Sequence, residues 1–166
     1  VEVVPAVSLR GQAVSSSAIR KAVESGAVAR AGRMLERPYA LEGPVVPGHG
    51  VGAKQTVPTL NLEPESELLP ATGVYVTRTT DLTAVRAWPS VTNVGYRPTF
   101  GGRELSIETF LFSGLDGDPP ARIRVEFLHR LRDERRFESA GELKAQILRD
   151  ARRAQTYHRR AARWVG

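Results

Sequence analysis

Arg122-Ile123-Arg124-Val125-Glu126-Phe127-Leu128-His129-Arg130-Leu131 is the stretch on which the fold turns. Ile123, Val125, Phe127, His129 and Leu131 alternate with Arg122, Arg124, Glu126, Leu128 and Arg130. Successive side chains of a strand point to opposite faces, so this period of two predicts a strand with one mainly apolar and one mainly charged face. His129 falls on the apolar face and reads as a structural histidine rather than a catalyst. Working outward, short runs broken by Gly and Pro predict further strands at Tyr39–Val46, Gly73–Thr79, Ala87–Val94 and Leu105–Phe112. Five strands without intervening helices point to an antiparallel barrel or sandwich.

The flanks change period. Ser139-Ala140-Gly141-Glu142 has capping-box form, in which the Ser bonds forward and the Glu reaches back. Leu143, Ile147, Ala151 and Ala154 then recur at helical spacing, predicting a helix with one stripe packed on the sheet. Before the strands, residues 14–36 read as two short helices. Ser15-Ser16-Ser17 caps the first, Gly26 closes it, and Pro38 marks the end of the second, which runs through Met34 and Leu35.

With 166 residues, 41% hydrophobic and 25% charged, the chain has an ordinary globular balance. It contains no run near the roughly 18–20 apolar residues of a membrane helix. Zero cysteines exclude disulfides and cysteine chemistry, which suits a cytoplasmic protein. The chain begins at Val1 without the layout of a signal peptide and reads as a piece of something longer. A net charge of +6 favours anionic partners, nucleotides and nucleic acids alike. Much of it sits at Arg149, Arg152, Arg153, Arg159, Arg160 and Arg163, a run most simply read as a solvated helix face.

Gly48-His49-Gly50-Val51-Gly52-Ala53-Lys54 places three glycines at alternate positions before a lysine. Glycines allow positive φ and bring main-chain N–H groups close to an anion, and Lys54 adds a charged donor. A glycine-rich hairpin turn explains the same residues, and the spacing is neither a Walker A loop nor a dinucleotide fingerprint. In Val57-Pro58-Thr59-Leu60-Asn61, an extended chain after Pro58 points Thr59 and Asn61 to one side. Their neutral oxygens suit a Mg²⁺ that keeps waters and bridges phosphates, although a simple turn also uses these residue types. Glu108 shares a strand face with Phe110 and Phe112, where loss of water favours the proton-accepting role of a general base. The plain alternative is an exposed edge-strand Glu. Arg132, Asp133, Glu134 and Arg136 form a mixed-charge connection between strand and helix.

In this order, the glycine segment with Lys54 and Pro58-Thr59-Leu60-Asn61 resemble the loop of the riboflavin kinase family. Asn93-Val94-Gly95 followed by Arg97-Pro98-Thr99-Phe100-Gly101-Gly102 is similar to the family's Asn-Ile-Gly and Pro-Thr-Phe-Gly-Gly segment. Ile107-Glu108-Thr109-Phe110 resembles the strand bearing its catalytic glutamate, and Phe127 to Glu134 with Phe137 and Ser139 its last strand and flavin-side loop. Gln55-Thr56-Val57 departs from the pattern, being one residue shorter and lacking a Gly. Val14-Ser15-Ser16-Ser17-Ala18-Ile19-Arg20 resembles the segment closing the FMN adenylyltransferase domain of bacterial bifunctional riboflavin kinase/FAD synthetases. That domain's glycine-rich first strand and His-x-Gly-His motif are not in this sequence, so adenylyl transfer is not expected of it.

The resemblance implies a small antiparallel Greek-key β-barrel over residues 38–166, with a C-terminal helix. Residues 1–37 would then be the two-helix end of an adenylyltransferase domain. It implies ATP- and Mg²⁺-dependent phosphorylation of riboflavin to FMN. Gly48, His49, Gly50, Gly52, Lys54 and Thr59 would handle ATP, Thr59 and Asn61 the metal, and Glu108 the proton. Asn93, Arg97, Thr99, Arg132, Asp133, Glu134 and Arg136 would line the flavin. The rival class is an OB-like barrel binding nucleic acid through its basic surface. Only 7% of residues are aromatic, and the basic cluster lies on the terminal helix rather than interleaved with aromatics on a sheet, so this rival is disfavoured.

Overall fold

The computed structural model describes residues 7–48, 59–99, 102–115 and 117–162. A hairpin of β1 (Ser8–Leu9) and β2 (Gln12–Ala13) opens the described chain. It turns through Arg10 and Gly11, both at positive φ, the twist that tight hairpins favour. Helix α1 (Ser16–Glu24) starts where Ser15 Oγ accepts from Ala18 N, 3.2 Å away. Gly26, at φ +76, lies just beyond its C-cap. Helix α2 (Val28–Leu35) ends at Glu36 in the left-handed region.

Strands β3 (Tyr39–Val46), β4 (Thr59–Leu62), β5 (Gly73–Asp81), β6 (Ala87–Thr99), β7 (Gly102–Leu111) and β8 (Arg122–Arg132) close into one antiparallel barrel, ordered β3-β4-β7-β6-β5-β8. β5, β6 and β7 form a meander, and β4 returns beside β7 in Greek-key fashion. The predicted strands are all present. Six strands form the barrel where the sequence predicts five, because four-residue β4 offers too short an alternation to separate from a turn.

Leu41, Leu60, Leu62, Tyr75, Val94, Ile107, Ile123, Val125 and Phe127 fill the interior, with Val28 of α2 in the same cluster. Tyr75 meets Phe127 edge-on at 5.3 Å. Hydroxyl groups inside satisfy one another, whereas the buried indole N–H of Trp88 has no hydrogen-bond partner among the described residues. Thr79, Ser90, Thr77, Thr92 and Thr109 form a chain of hydroxyl contacts of 2.8–2.9 Å, all fully buried. A buried hydroxyl without a partner costs free energy, so such a chain fixes one arrangement of the strands it joins.

Helix α3 (Ala140–Ala162) covers a second apolar cluster on the outer wall, made by Val74, Val76 and Val91 with Phe110, Phe112, Leu128, Leu131, Ala154 and Tyr157. Two register shifts between β5 and β8 correct the face assignment of the opening stretch. They take His129 and Leu131 off the inner face: Leu131 joins Leu128 in the outer cluster, and His129 is exposed, its ring stacked on Tyr157 at 5.7 Å. A single bulge reverses every later side chain, which alternation alone does not reveal. The packed stripe of α3 also differs from the predicted one. Gln146, Asp150 and Ala154 are buried, whereas Leu143 is exposed. At the N-terminus of α3, Ser139 Oγ accepts from Glu142 N as expected, but Glu142 reaches back to Glu138 N, one residue earlier than the box predicts. Arg149, Arg152, Arg153, Arg159 and Arg160 lie on the exposed face, as the charge run suggested.

Candidate functional site

β7 lies between β4 and β6 and sets the site. Glu108 pairs with Asn61 on one side and Asn93 on the other. The alternating residues Leu60, Leu62, Ile107, Thr109, Thr92 and Val94 are buried inside, so Asn61, Glu108 and Asn93 occupy the outer face. Facing residues on antiparallel neighbours lie about 4.5–5.5 Å apart, so the row spans roughly 10 Å. All three are half-buried. Thr59, two residues before Asn61, shares this face and pairs with Phe110.

The row is extended at both ends by glycines that admit a close neighbour. A Cβ on Gly48 would lie 2.6 Å from Asn61 Nδ2, so the start of the glycine-rich segment rests directly on the asparagine amide. At the other end, a Cβ on Gly95 would lie 2.6 Å from Glu134 Oε1 and 3.2 Å from Asn93 Nδ2. The structure therefore brings together Gly48, Asn61, Glu108, Asn93 and Glu134 along one wall. Ser106, buried and two residues before Glu108, donates from Oγ to Glu108 Oε1 at 2.9 Å and orients the carboxylate. Ser106 is not marked out by the sequence as a site residue, although the period of two places it on the Glu108 face.

Other predicted residues are disposed differently. Arg132 turns its guanidinium to Asp150 of α3, Nη2 to Oδ2 at 2.8 Å, and is not aimed at the row. Asp133 is exposed, with Oδ1 3.2 Å from Arg130 Nη2. Arg136 is exposed. His49, Gly50, Gly52 and Lys54 lie outside the described residues, as do the side chains of Arg97 and Thr99 on β6.

No group of three or more His, Cys, Asp or Glu is placed to hold a metal among the described residues. The donor set near Asn61 is instead neutral side-chain oxygens with one carboxylate across the β4–β7 pair. Such a set fits a hard cation that keeps its waters and completes its shell with phosphates, rather than a closed protein cage. A polar cleft on the β3/β8 wall, lined by Arg37, Glu42, Glu65, Ser66 and Arg124, holds none of the predicted site residues. There Arg124 pairs with Glu42 at 3.0 Å, and Glu65 with Arg122 at 2.8 Å.

Fold and site together define a closed six-stranded barrel domain with a polar row on one outer wall and a helix packed beside it. The family model described as Flavokinase, riboflavin kinase, matches residues 35–158, and the chain belongs to that family. Curated relatives agree. The bifunctional riboflavin kinase/FMN adenylyltransferase of Escherichia coli K12 is 34% identical over 89% of this chain and 47% of its own length. That of Bacillus subtilis is 36% identical over 87% and 46%. The chain thus spans about half the length of the curated relatives it matches. Among solved structures, one from Streptococcus pneumoniae described as a macrolide-efflux protein superposes at TM-score 0.82 with 31% identity, covering 92% of this chain and 50% of that one. That description concerns the pneumococcal protein, and no helix among the described residues here is long and apolar enough to cross a membrane. The riboflavin kinase of Trypanosoma brucei shares the fold at TM-score 0.50 and 17% identity, covering 72% of this chain and 79% of that one.

Proposed function

We propose that this chain transfers the γ-phosphoryl group of ATP to the ribityl 5′-hydroxyl of riboflavin, giving FMN and ADP. The observation that carries the reading is the in-register row Asn61–Glu108–Asn93, with Gly48 at one end and Glu134 at the other. Triphosphate would lie at the Gly48 end, with Gly48, Gly50 and Gly52 offering main-chain N–H groups and His49 and Lys54 side-chain donors. Thr59 and Asn61 would hold Mg²⁺, which would supply positive charge against the phosphates. Flavin would lie at the other end, against Asn93 and Glu134, with Arg97, Thr99, Asp133 and Arg136 around it.

Glu108 stands between the two, where a hydroxyl from one substrate meets the phosphate of the other. Its carboxylate, oriented by Ser106, takes the hydroxyl proton as the new O–P bond forms and the bond to ADP breaks. Positioning supplies most of the acceleration, because phosphoryl transfer leaves the protein little covalent chemistry to perform. The longer parent would also make FAD from FMN, with the helices before residue 38 closing its adenylyltransferase domain.

Incubation of the chain with riboflavin, ATP and Mg²⁺, followed by chromatography, tests the reading. FMN without FAD is expected. FAD from added FMN would assign adenylyl transfer to this chain instead, and neither product would remove the kinase assignment.

A further inference from the structure

Asp150 carries no role in the reading above, yet its carboxylate on α3 is 2% exposed. A buried carboxylate persists only where charge and hydrogen bonds compensate its lost hydration. Here both oxygens are engaged. Arg132 Nε and Nη2 each lie 2.8 Å from Oδ2, and Gln146 Nε2 donates to Oδ1 at 2.8 Å. Arg132 Nη1 then donates to the main-chain oxygen of Asp133 at 2.9 Å. The Asp133 carboxylate faces Arg130, whose Nη2 also donates to Thr72 O at 2.6 Å. The chain leaving β8 is therefore pinned through both the carbonyl and the carboxylate of Asp133. The next residue is Glu134, whose Oε1 sits against Gly95 beside Asn93.

We propose that the Asp150–Arg132 pair is a positioning device for the flavin end of the site. By fixing the Asp133 carbonyl it sets Glu134 against Gly95 and Asn93, and so governs affinity for the flavin rather than the phosphoryl-transfer step. This rests on the kinase reading. Arg132 then acts through Glu134 and does not itself touch substrate.

The test compares the chain with its Asp150→Asn variant, which keeps the size of the side chain but removes its charge, leaving one neutral oxygen for the Arg132 fork and an amide donor facing the Gln146 donor. Steady-state kinetics are read alongside hydrogen exchange of residues 133–138. The KM for riboflavin is expected to rise about tenfold, with the KM for ATP moving less than about twofold, and exchange at 133–138 to accelerate. Thr77→Val, a destabilising change inside the barrel far along the chain from this network, serves as control and should leave the ratio of the two KM values unchanged. Equal movement of both KM values, a change in kcat alone, or wild-type exchange at 133–138 overturns the proposal. If Asp150→Asn does not fold, Arg132→Lys carries the same readouts, because a compact ammonium replaces the planar fork that spans Asp150 and the Asp133 carbonyl. Absence of FMN from the unaltered chain refutes the kinase reading, while unchanged exchange in the variant refutes the anchoring independently of activity.

Discussion

Gly95→Ala probes the flavin end of the site through a single added methyl group. Its Cβ would stand 2.6 Å from Glu134 Oε1, 3.2 Å from Glu134 Cδ and 3.2 Å from Asn93 Nδ2. Relief to ordinary contact requires the Glu134 carboxylate to withdraw by roughly 1 Å. Glu134 is an exposed side chain, so the withdrawal costs little, and stability should change by less than about 1 kcal/mol. The effect should appear in binding. Loss of a hydrogen bond to a charged group is worth about 1.5–3 kcal/mol, so riboflavin affinity should fall roughly tenfold or more, with ATP affinity kept. Flavin fluorescence titration measures the first and ATP-dependent initial rates the second. A double-mutant cycle with Glu134→Ala completes the assay, since without the carboxylate the added methyl meets little resistance. Unchanged riboflavin affinity in Gly95→Ala, or a full additive penalty in the Glu134→Ala background, refutes the placement of Glu134.

Three further outcomes follow from the same geometry. Thr77→Val removes the central hydroxyl of the buried chain and takes one partner each from Ser90 and Thr92, so urea unfolding should show a loss of about 1–3 kcal/mol; no loss would show that the chain is dispensable. Gly43→Ala places a Cβ 1.9 Å from the main-chain oxygen of Glu63, where no side chain can yield, and should cost about 3 kcal/mol or more by the same measurement. Burial pushes the imidazole of His158 below its ordinary value and the charge of Arg78 adds to this, against hydrogen bonds to the main chain of Ser90 and Thr77. The unfolded chain then takes up that proton first, so stability is present above about pH 6.5 and declines as pH falls below it. His158→Gln should flatten that decline between about pH 7 and 5, and an unaltered slope would remove His158 as its source.

The sequence made the barrel legible because its long strands are buried on the inner face and alternate cleanly, as Ile123, Val125 and Phe127 show. What alternation does not encode is where pairing slips, and the fates of His129 and Leu131 are decided by two bulges against β5. The site was partly legible for the same reason. Asn61, Glu108 and Asn93 were singled out separately, and strand register then placed them side by side. Contacts made by chain segments distant in sequence were not visible. Gly95 meets Glu134 across the rim, and Asp150 sits within an arginine-rich helix that reads as solvated until Arg132 reaches it. Only the fold supplies such pairings.

Replacement of Glu108 by Gln tests the centre of the account most directly, because the amide oxygen still accepts from Ser106 while the proton acceptor is lost. With both substrates saturating, FMN formation by Glu108→Gln should fall by about 10²–10⁴-fold against the unaltered chain. A fall of less than about threefold would contradict the role of Glu108 as the base.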